Sequence, residues 1–260
     1  MRLLLLVISL IPFCLKAQIF TNSAPQWGIT QHDWDGVYGS GVSTVDWNMD
    51  GWDDLTFGNS SGGLRTFVNN QGNGFTSIHL PIIQQTESKS IMWIDIDGDG
   101  DMDFYYTDAG GRTEIIENIN NTTFINVTAL SGIEQVNIPT EGSSWGDFDN
   151  DGDLDLYICR YFESTQNLSA EYRNVLMRND GNFQFTDVTI SSSTGIYTRA
   201  SFQSIWFDWD RDGFQDLFII NDKDQVNTLF HNLQNGQFED IANQVGLDIS
   251  MDSMSASLGD

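Results

Sequence analysis

The sequence predicts an all-β protein, and three observations support this prediction. Short runs in which apolar and polar residues alternate, such as "QSIWFD" and "GVSTVD", recur along the chain and are typical of β-strands. Turns rich in Asn and Gly separate these runs. After the N-terminal segment, no apolar period of about 3.6 residues is sustained over about eleven residues, as an amphipathic helix would require.

The composition indicates a folded, strongly acidic protein. Of the 260 residues, 40% are apolar and 12% aromatic, which argues against disorder despite a formal net charge of -26. Asp and Glu number 37 against 11 Lys and Arg. Such a surface repels nucleic acid and anionic membranes, so we expect metal cations as the natural counterions and no nucleic-acid partner.

The N-terminus has the pattern of a secretory signal peptide, which we assign to residues 1–18. Arg2 precedes an apolar run that ends at Leu15, and small or polar residues follow at Ala17 and Gln18. The run is shorter than the ~20 residues that a membrane-spanning helix needs, although an uncleaved anchor or a lipoprotein modified at Cys14 is an alternative. We therefore expect a secreted or cell-surface protein without membrane insertion after cleavage.

The rest of the chain, residues 19–260, is predicted to be one repetitive domain. An aspartate-rich segment occurs four times, as "DWNMDGWDDL", "DIDGDGDMDF", "DFDNDGDLDL" and "DWDRDGFQDL", at intervals of about fifty residues. Each copy follows one short strand and precedes three more, which is the composition of a β-propeller blade. The sequence reaches Asp260 at the approach to a fifth copy, so we expect an incomplete propeller with about four blades present.

The pattern within each copy predicts a cation-binding loop. Acidic or amide side chains stand at positions 1, 3, 5 and 9, position 6 is glycine, and position 7 offers a backbone carbonyl. A hard cation would obtain roughly six or seven oxygen ligands, as Ca²⁺ prefers, so we expect about four Ca²⁺ sites. The predicted ligands are Asp46, Asn48, Asp50, Trp52 and Asp54; Asp95, Asp97, Asp99, Asp101 and Asp103; Asp147, Asp149, Asp151, Asp153 and Asp155; and Asp208, Asp210, Asp212, Phe214 and Asp216.

Other interpretations of the acidic loop are less consistent with the sequence. An EF-hand needs a bidentate Glu at position 12, where these loops have Phe57, Tyr106, Ile158 and Ile219. Nonapeptide calcium repeats have a much shorter period, and thrombospondin-type repeats are rich in cysteine, whereas Cys159 is the single cysteine after the signal peptide. A catalytic carboxylate pair would not explain four equivalent loops, so we expect no enzymatic activity in these residues.

The loops and the segments between them resemble the FG-GAP/VCBS repeat family, best known from the N-terminal β-propellers of integrin α chains. "LMRNDGNFQFTDVT" and "GDFDNDGDLDLYI" in particular resemble bacterial relatives of cartilage acidic protein, which often carry an ASPIC/UnbV module. The resemblance covers residues 26–260. It implies a Ca²⁺-bearing hairpin loop in each blade and, commonly, a seven-bladed propeller.

We therefore expect a secreted calcium-binding β-propeller that acts as a binding or adhesion module, with an extracellular protein or carbohydrate as its ligand. The alternative is an accessory propeller of a polysaccharide-degrading enzyme whose catalytic domain lies beyond residue 260. Tryptophans that recur beside the loops are predicted to pack between blades, whereas Trp34 and Tyr38 are candidates for sugar stacking. Residues 160–174 form the longest irregular segment and are predicted to be a surface loop, and Cys159 is predicted to be a packed strand residue.

Overall fold

The computed structural model describes residues 21–29, 40–59, 64–82, 87–163 and 169–259, and these residues are organised almost entirely in β-strands. Sixteen strands form four antiparallel sheets of four strands each. The α-helical content of this part of the chain is one short helix, α1, at Ala242–Val245. The all-β prediction and the four-stranded blades are thus confirmed. The predicted signal peptide, Trp34 and Tyr38 lie outside the described residues.

Each sheet is one blade, formed by four strands that are consecutive in the chain. Blade 1 contains β1 (Val42–Val45), β2 (Asp54–Phe57), β3 (Arg65–Asn69) and β4 (Phe75–Ile78). Blade 2 contains β5 (Ser88–Ile94), β6 (Asp103–Asp108), β7 (Thr113–Ile119) and β8 (Thr123–Asn126). Blade 3 contains β9 (Thr140–Gly146), β10 (Asp155–Arg160), β11 (Val175–Asn179) and β12 (Phe185–Asp187). Blade 4 contains β13 (Ser201–Phe207), β14 (Asp216–Asn221), β15 (Thr228–Asn232) and β16 (Phe238–Asp240).

The first strands of successive blades lie side by side. Contacts join β1 to β5, β5 to β9 and β9 to β13, which is the arrangement of a β-propeller. Buried charges connect these inner strands, since the Lys89 ammonium lies 3.2 Å from Glu87 and 3.1 Å from Glu141. The inner strands also line an open cavity of about 450 Å³.

In blades 2 and 3 the second strand is buried on both faces because the blade lies between two neighbouring sheets. Every residue of β6 and of β10 is buried, unlike the alternating pattern of β1. Cys159 in β10 is fully buried, which confirms its prediction as a packed strand residue. Burial raises the pKa of the Cys159 thiol to about 12.

The hydrophobic core lies between consecutive blades, and tryptophans fill it. Trp47 of blade 1 stacks on Trp93 of blade 2 with ring centroids 4.8 Å apart. Trp145 of blade 3 meets Tyr105 of blade 2 at 5.2 Å, and Trp206 of blade 4 contacts blade 3 in the same way. Packing between blades is confirmed for these tryptophans. Trp209, at position 2 of the fourth loop, is 41% exposed, and its packing stays a prediction.

The irregular segment after β10 is only partly a surface loop. Tyr161 and Phe162 at its start are 4% and 5% exposed and pack against Ala200, which precedes β13. The prediction of a surface loop is therefore wrong for these two residues, whose apolar rings complete the packing between blades 3 and 4. Residues 164–168 lie outside the described part of the chain.

Candidate metal centres in the aspartate loops

The four aspartate loops occupy equivalent places in the fold. Each connects the first and second strands of its blade, so all four lie at the same end of the blades. Neighbouring loops are also in contact. The Asn150 side-chain amide of the third loop donates a hydrogen bond to the Gly213 carbonyl of the fourth, at 3.0 Å.

The backbone of every loop turns sharply at two positions. Position 4 has a positive φ in all four loops, between 58° and 75°, at Met49, Gly98, Asn150 and Arg211. Position 6 has a φ between 89° and 98° and is glycine each time, at Gly51, Gly100, Gly152 and Gly213. No atom lies within 4 Å of where a Cβ would stand at these position-6 glycines, so backbone conformation and not space requires glycine.

The carboxylates at positions 1 and 5 organise this turn. In the third loop, the backbone N–H groups of Asp151 and Gly152 donate to the two oxygens of Asp147, each at 3.1 Å. The N–H of Asp153 donates to Asp151 Oδ1 at 2.9 Å. The same pattern recurs in the first and fourth loops. These bonds orient the carboxylates toward the inside of the turn.

The aspartate at position 9 is the buried end of each site. Asp54, Asp103, Asp155 and Asp216 are each at most 1% exposed. In the third blade, Asp155 Oδ2 accepts from the N–H of Phe148 at 3.0 Å, and Oδ1 accepts from the N–H of Asn179 at 2.9 Å. The carboxylate at the start of the second strand thus connects the loop to the third strand of the same blade.

Burial and crowding raise the pKa values of these carboxyl groups. Burial is the main cause for Asp155, with a pKa of about 8, for Asp103, at about 7, and for Asp54, at about 6. Neighbouring loop carboxylates raise all three further, whereas the backbone N–H donors lower them. Burial and adjacent carboxylates likewise raise the pKa values of Asp97 and Asp149. A bound cation would favour the ionised form of every one of these groups.

Three loops bring predicted ligand atoms within 4.8 Å of one another. The groups are Asp95, Asp97 and Asp99 in the second loop, Asp147, Asp149 and Asp155 in the third, and Asp208, Asp210 and Asp216 in the fourth. These are positions 1, 3 and 5 in one loop and positions 1, 3 and 9 in the other two. The remaining predicted ligands, including the position-7 carbonyls, stay predictions.

Buried carboxylate oxygens without a partner show that these loops fit a metal ion. Asp95 Oδ1, Asp54 Oδ2 and Asp149 Oδ1 are buried and accept no hydrogen bond of normal geometry, although the backbone N–H groups of Trp47 and Asp151 lie near Asp54 and Asp149. An unsatisfied buried carboxylate oxygen is costly, and coordination to Ca²⁺ would satisfy it. One such oxygen occurs in each of the first three loops. In the first loop, Asn48 supplies a neutral oxygen at position 3 in place of a carboxylate.

The fourth loop differs because an imidazole lies beside it. His231 Nδ1 is 3.0 Å from Asp216 Oδ1, and His231 Nε2 is 4.0 Å from Asp210 Oδ2. Asp210, Asp212 and His231 form another group of potential ligands. Arg211 at position 4 is exposed.

Asparagines at the end of the third strand are functional residues that sequence analysis missed. Their backbone N–H groups donate to the position-9 carboxylate, and their side-chain amides donate to the carbonyl of position 8. They are Asn69, Asn118, Asn179 and Asn232. Their recurrence before each Asn- and Gly-rich turn is the sequence signal that marks them.

These asparagines also connect neighbouring loops. The Asn179 amide donates to the Ile96 carbonyl of the second loop at 2.9 Å, and the Asn232 amide donates to the Phe148 carbonyl of the third loop at 2.7 Å. Between blades 1 and 2, Asn121 takes this role by donating to the Asn48 carbonyl at 3.0 Å. The candidate metal centres are therefore physically linked from blade to blade.

Together, the fold and the loops define a β-propeller whose blades each carry an aspartate-rich hairpin loop. The family model described as FG-GAP-like repeat matches residues 46–106, 95–158 and 208–260. The chain belongs to this family of FG-GAP-like repeat proteins.

Solved structures show more distant likenesses, and 17 chains match. One is a lectin from Agrocybe aegerita that recognises non-reducing terminal N-acetylglucosamine, with 16% identity, a TM-score of 0.49, and coverage of 78% of this chain and 51% of the lectin. Another is the Photorhabdus luminescens Tc holotoxin pore, with 14% identity, a TM-score of 0.26, and coverage of 78% of this chain and 12% of the toxin chain. The chain thus spans about half of the lectin. No curated protein matches it in sequence.

Proposed function

We propose that this protein is a secreted calcium-binding β-propeller that acts as a binding or adhesion module, in which calcium has a structural role. The observation that supports calcium most directly is the recurrence of one loop geometry in four blades, with a buried carboxylate at position 9 each time. Extracellular sites of this chemistry typically bind calcium with a Kd of about 10⁻⁴ to 10⁻³ M.

The position of the loops supports a structural role for calcium. Each loop joins the first two strands of a blade, and its carboxylates repel one another unless a cation balances them. Because the chain after the predicted signal peptide contains one cysteine, no internal disulfide can take over this stabilising role. Calcium would hold both the hairpin and, through the asparagine amides, the neighbouring loop.

Calcium removal tests the proposal. We expect excess chelator to lower the melting temperature and to increase protease sensitivity, because a ligand that binds only the folded state stabilises it by mass action. Restoring Ca²⁺ should recover both properties, whereas equimolar Mg²⁺ should not, since Mg²⁺ demands octahedral geometry and retains its waters. Unchanged melting in excess chelator would show that calcium has no structural role.

The proposed location and ligand rest on the sequence. The signal-like N-terminus supports export, and fractionation of the expressing cells into medium and lysate tests it. Among the described residues, no helix is long and apolar enough to cross a membrane.

The ligand class that we propose is an extracellular protein or carbohydrate, with no nucleic acid, because the net charge of -26 repels polyanions. We propose no catalytic role for these residues.

A further inference from the structure

A small cavity lies between blades 2 and 3, at the end of the blades away from the aspartate loops. The strands β6 and β10 begin at a loop and end beside this cavity, which has a volume of about 180 Å³. Its lining comes from the turn before β7, the connection between the two blades, and the ends of β10 and β11. At about 30 Å³ per molecule, this volume corresponds to roughly six waters or one small organic molecule.

A buried cation lines the cavity. Arg160, the last residue of β10, is 8% exposed, and its Nε has no hydrogen-bond partner. One terminal nitrogen of its guanidinium donates to the Glu171 carbonyl. Among the described residues, Arg160 has no carboxylate within ion-pair distance, and residues 164–168 contain no Asp or Glu.

The charge of the buried Arg160 guanidinium is only partly compensated, because Glu134, Asp187 and Glu171 attract it from beyond ion-pair distance. Burial lowers the pKa of Arg160, yet an arginine stays protonated in proteins, so the positive charge remains. A buried charge is costly unless it is paired and hydrogen-bonded. A carboxylate in the cavity would accept a hydrogen bond from Nε and provide the missing pairing.

The rim of the cavity carries negative charge, opposite to the positive charge of Arg160. Glu134 and Asp187 line it and are exposed, and both are near enough to raise the pKa of Arg160. They would repel a simple anion on approach and attract a cationic group. Between the rim and Arg160, the walls are apolar, with side chains that include Ile133, Ile158 and Val175.

We propose that this cavity binds a small aliphatic amino acid, with its carboxylate on Arg160 and its ammonium group between Glu134 and Asp187. A zwitterion places one charge at each polar end, and its aliphatic side chain contacts the apolar wall. The inference rests on the proposed function as a binding module and names a ligand class for it. It does not depend on the calcium loops.

Calorimetry with the full chain in calcium-containing buffer tests the proposal. The probes are L-leucine, leucinamide, which lacks the carboxylate, and 4-methylpentanoate, which lacks the ammonium group. We expect leucine to bind at least about tenfold more tightly than either analogue. If 4-methylpentanoate binds as well as leucine, or if leucine gives no heat at millimolar concentration, the proposal is wrong.

Substitutions test which residues of the cavity bind leucine. Arg160→Gln should weaken leucine binding by about tenfold or more, whereas Arg178→Gln, at a half-buried arginine of the same blade that does not line the cavity, should leave it unchanged. A double variant, Glu134→Gln with Asp187→Asn, removes the negative charge of the rim and keeps the buried Arg160. We expect it to weaken leucine and to strengthen 4-methylpentanoate, and it provides a test if Arg160→Gln does not fold.

These results are distinguishable from a failure of the proposed function. If chelator lowers the melting temperature but no probe binds, the amino-acid site is wrong and the calcium-stabilised propeller stands. If leucine binding is intact after Arg160→Gln in a folded protein, the assignment of Arg160 is overturned.

Discussion

The buried aspartate at position 9 contributes to each candidate metal centre and to its blade at the same time. Asp155 accepts backbone N–H groups from the loop and from the third strand, and it lies near the carboxylates of Asp147 and Asp149. Its pKa is raised because burial disfavours the charged form. A cation therefore stabilises the ionised carboxylate that the blade needs.

This arrangement predicts how stability depends on pH. In the folded, calcium-free protein the pKa values of Asp54, Asp103 and Asp155 are about 6, 7 and 8. An unfolded chain releases these protons near pH 3.9, so the folded state binds more protons between these limits. The stabilisation from protonated carboxyls is thus present at low pH and lost as the pH rises through the folded values.

We expect the free energy of unfolding in calcium-depleted buffer to fall between pH 5 and pH 8 by on the order of 7 kcal/mol, because each carboxyl that is still protonated in the folded state contributes about 1.4 kcal/mol per pH unit. Saturating calcium should remove this fall, because the cation favours the ionised carboxylates. Urea unfolding across the pH series measures both curves. A calcium-free stability that increases over this range would contradict the prediction, and Asp155→Asn should reduce the slope.

Two aspartates of similar exposure should behave differently on substitution. Asp151 stands at position 5 of the third loop and accepts the N–H of Asp153, whereas Asp53 stands at position 8 of the first loop, outside the predicted ligands. We expect Asp151→Ala to lower the melting temperature and to remove one calcium equivalent. Asp53→Ala should change stability by less than about 0.5 kcal/mol. Equal losses in melting and calorimetric experiments would show that the ligand assignment is wrong.

At the scale of the elements, the third strand of each blade ends where it stabilises the loop between the first and second strands. The side-chain amide of the terminal asparagine satisfies carbonyls of its own loop and, in blades 3 and 4, of the preceding one. Successive loops therefore share hydrogen bonds, and a change in one loop affects the next.

Substitution of these asparagines measures the link between blades. Asn179 donates to carbonyls of the second and third loops, whereas Asn69 donates to its own loop at the Asp53 carbonyl. We expect Asn179→Ala to destabilise the protein by about 1 kcal/mol more than Asn69→Ala, because an additional buried carbonyl loses its donor. Calcium titration should also show weaker binding to two sites for Asn179→Ala and to one for Asn69→Ala. Equal losses of stability and of calcium affinity in the two variants would show that Asn179 does not link the second and third loops.

At the scale of the whole molecule, close contact between the inner strands brings the blades together. A Cβ added to Gly142 in β9 would lie 2.1 Å from the carbonyl oxygen of Phe202 in β13. A Cβ added to Gly41 would lie 2.3 Å from the carbonyl oxygen of Lys89. A side chain at these positions would force the first strands of neighbouring blades apart.

We therefore expect Gly142→Ala to destabilise the protein by about 1 to 3 kcal/mol, since its methyl group meets backbone that cannot rotate away. Gly259→Ala is a suitable control, because no atom lies within 4 Å of its added Cβ. Thermal melting of both variants tests the prediction. A neutral Gly142→Ala would mean that the inner strands separate easily.

Much of the fold and of the candidate site could be predicted because their determinants are local. The loop carries its ligand types and its glycine within nine successive positions, and Ile158 at position 12 lies in the strand that follows. The repeat also predicted the blades, because a pattern of four short strands with one acidic loop occurs four times along the chain. Each occurrence forms one four-stranded sheet. The recurring tryptophans predicted contacts between blades for the same reason.

Other features depend on residues that are distant in the chain. Asn179 and Ile96 are 83 residues apart, and only the packing of two blades brings them together. The burial of Tyr161 and the position of Arg160 beside its cavity likewise depend on which neighbour covers each side chain. The sequence by itself thus determined the loop chemistry and the four-stranded repeat, because adjacent residues encode both. The tertiary structure alone decided which polar groups are buried and what they contact, because burial is a property of the assembled blades.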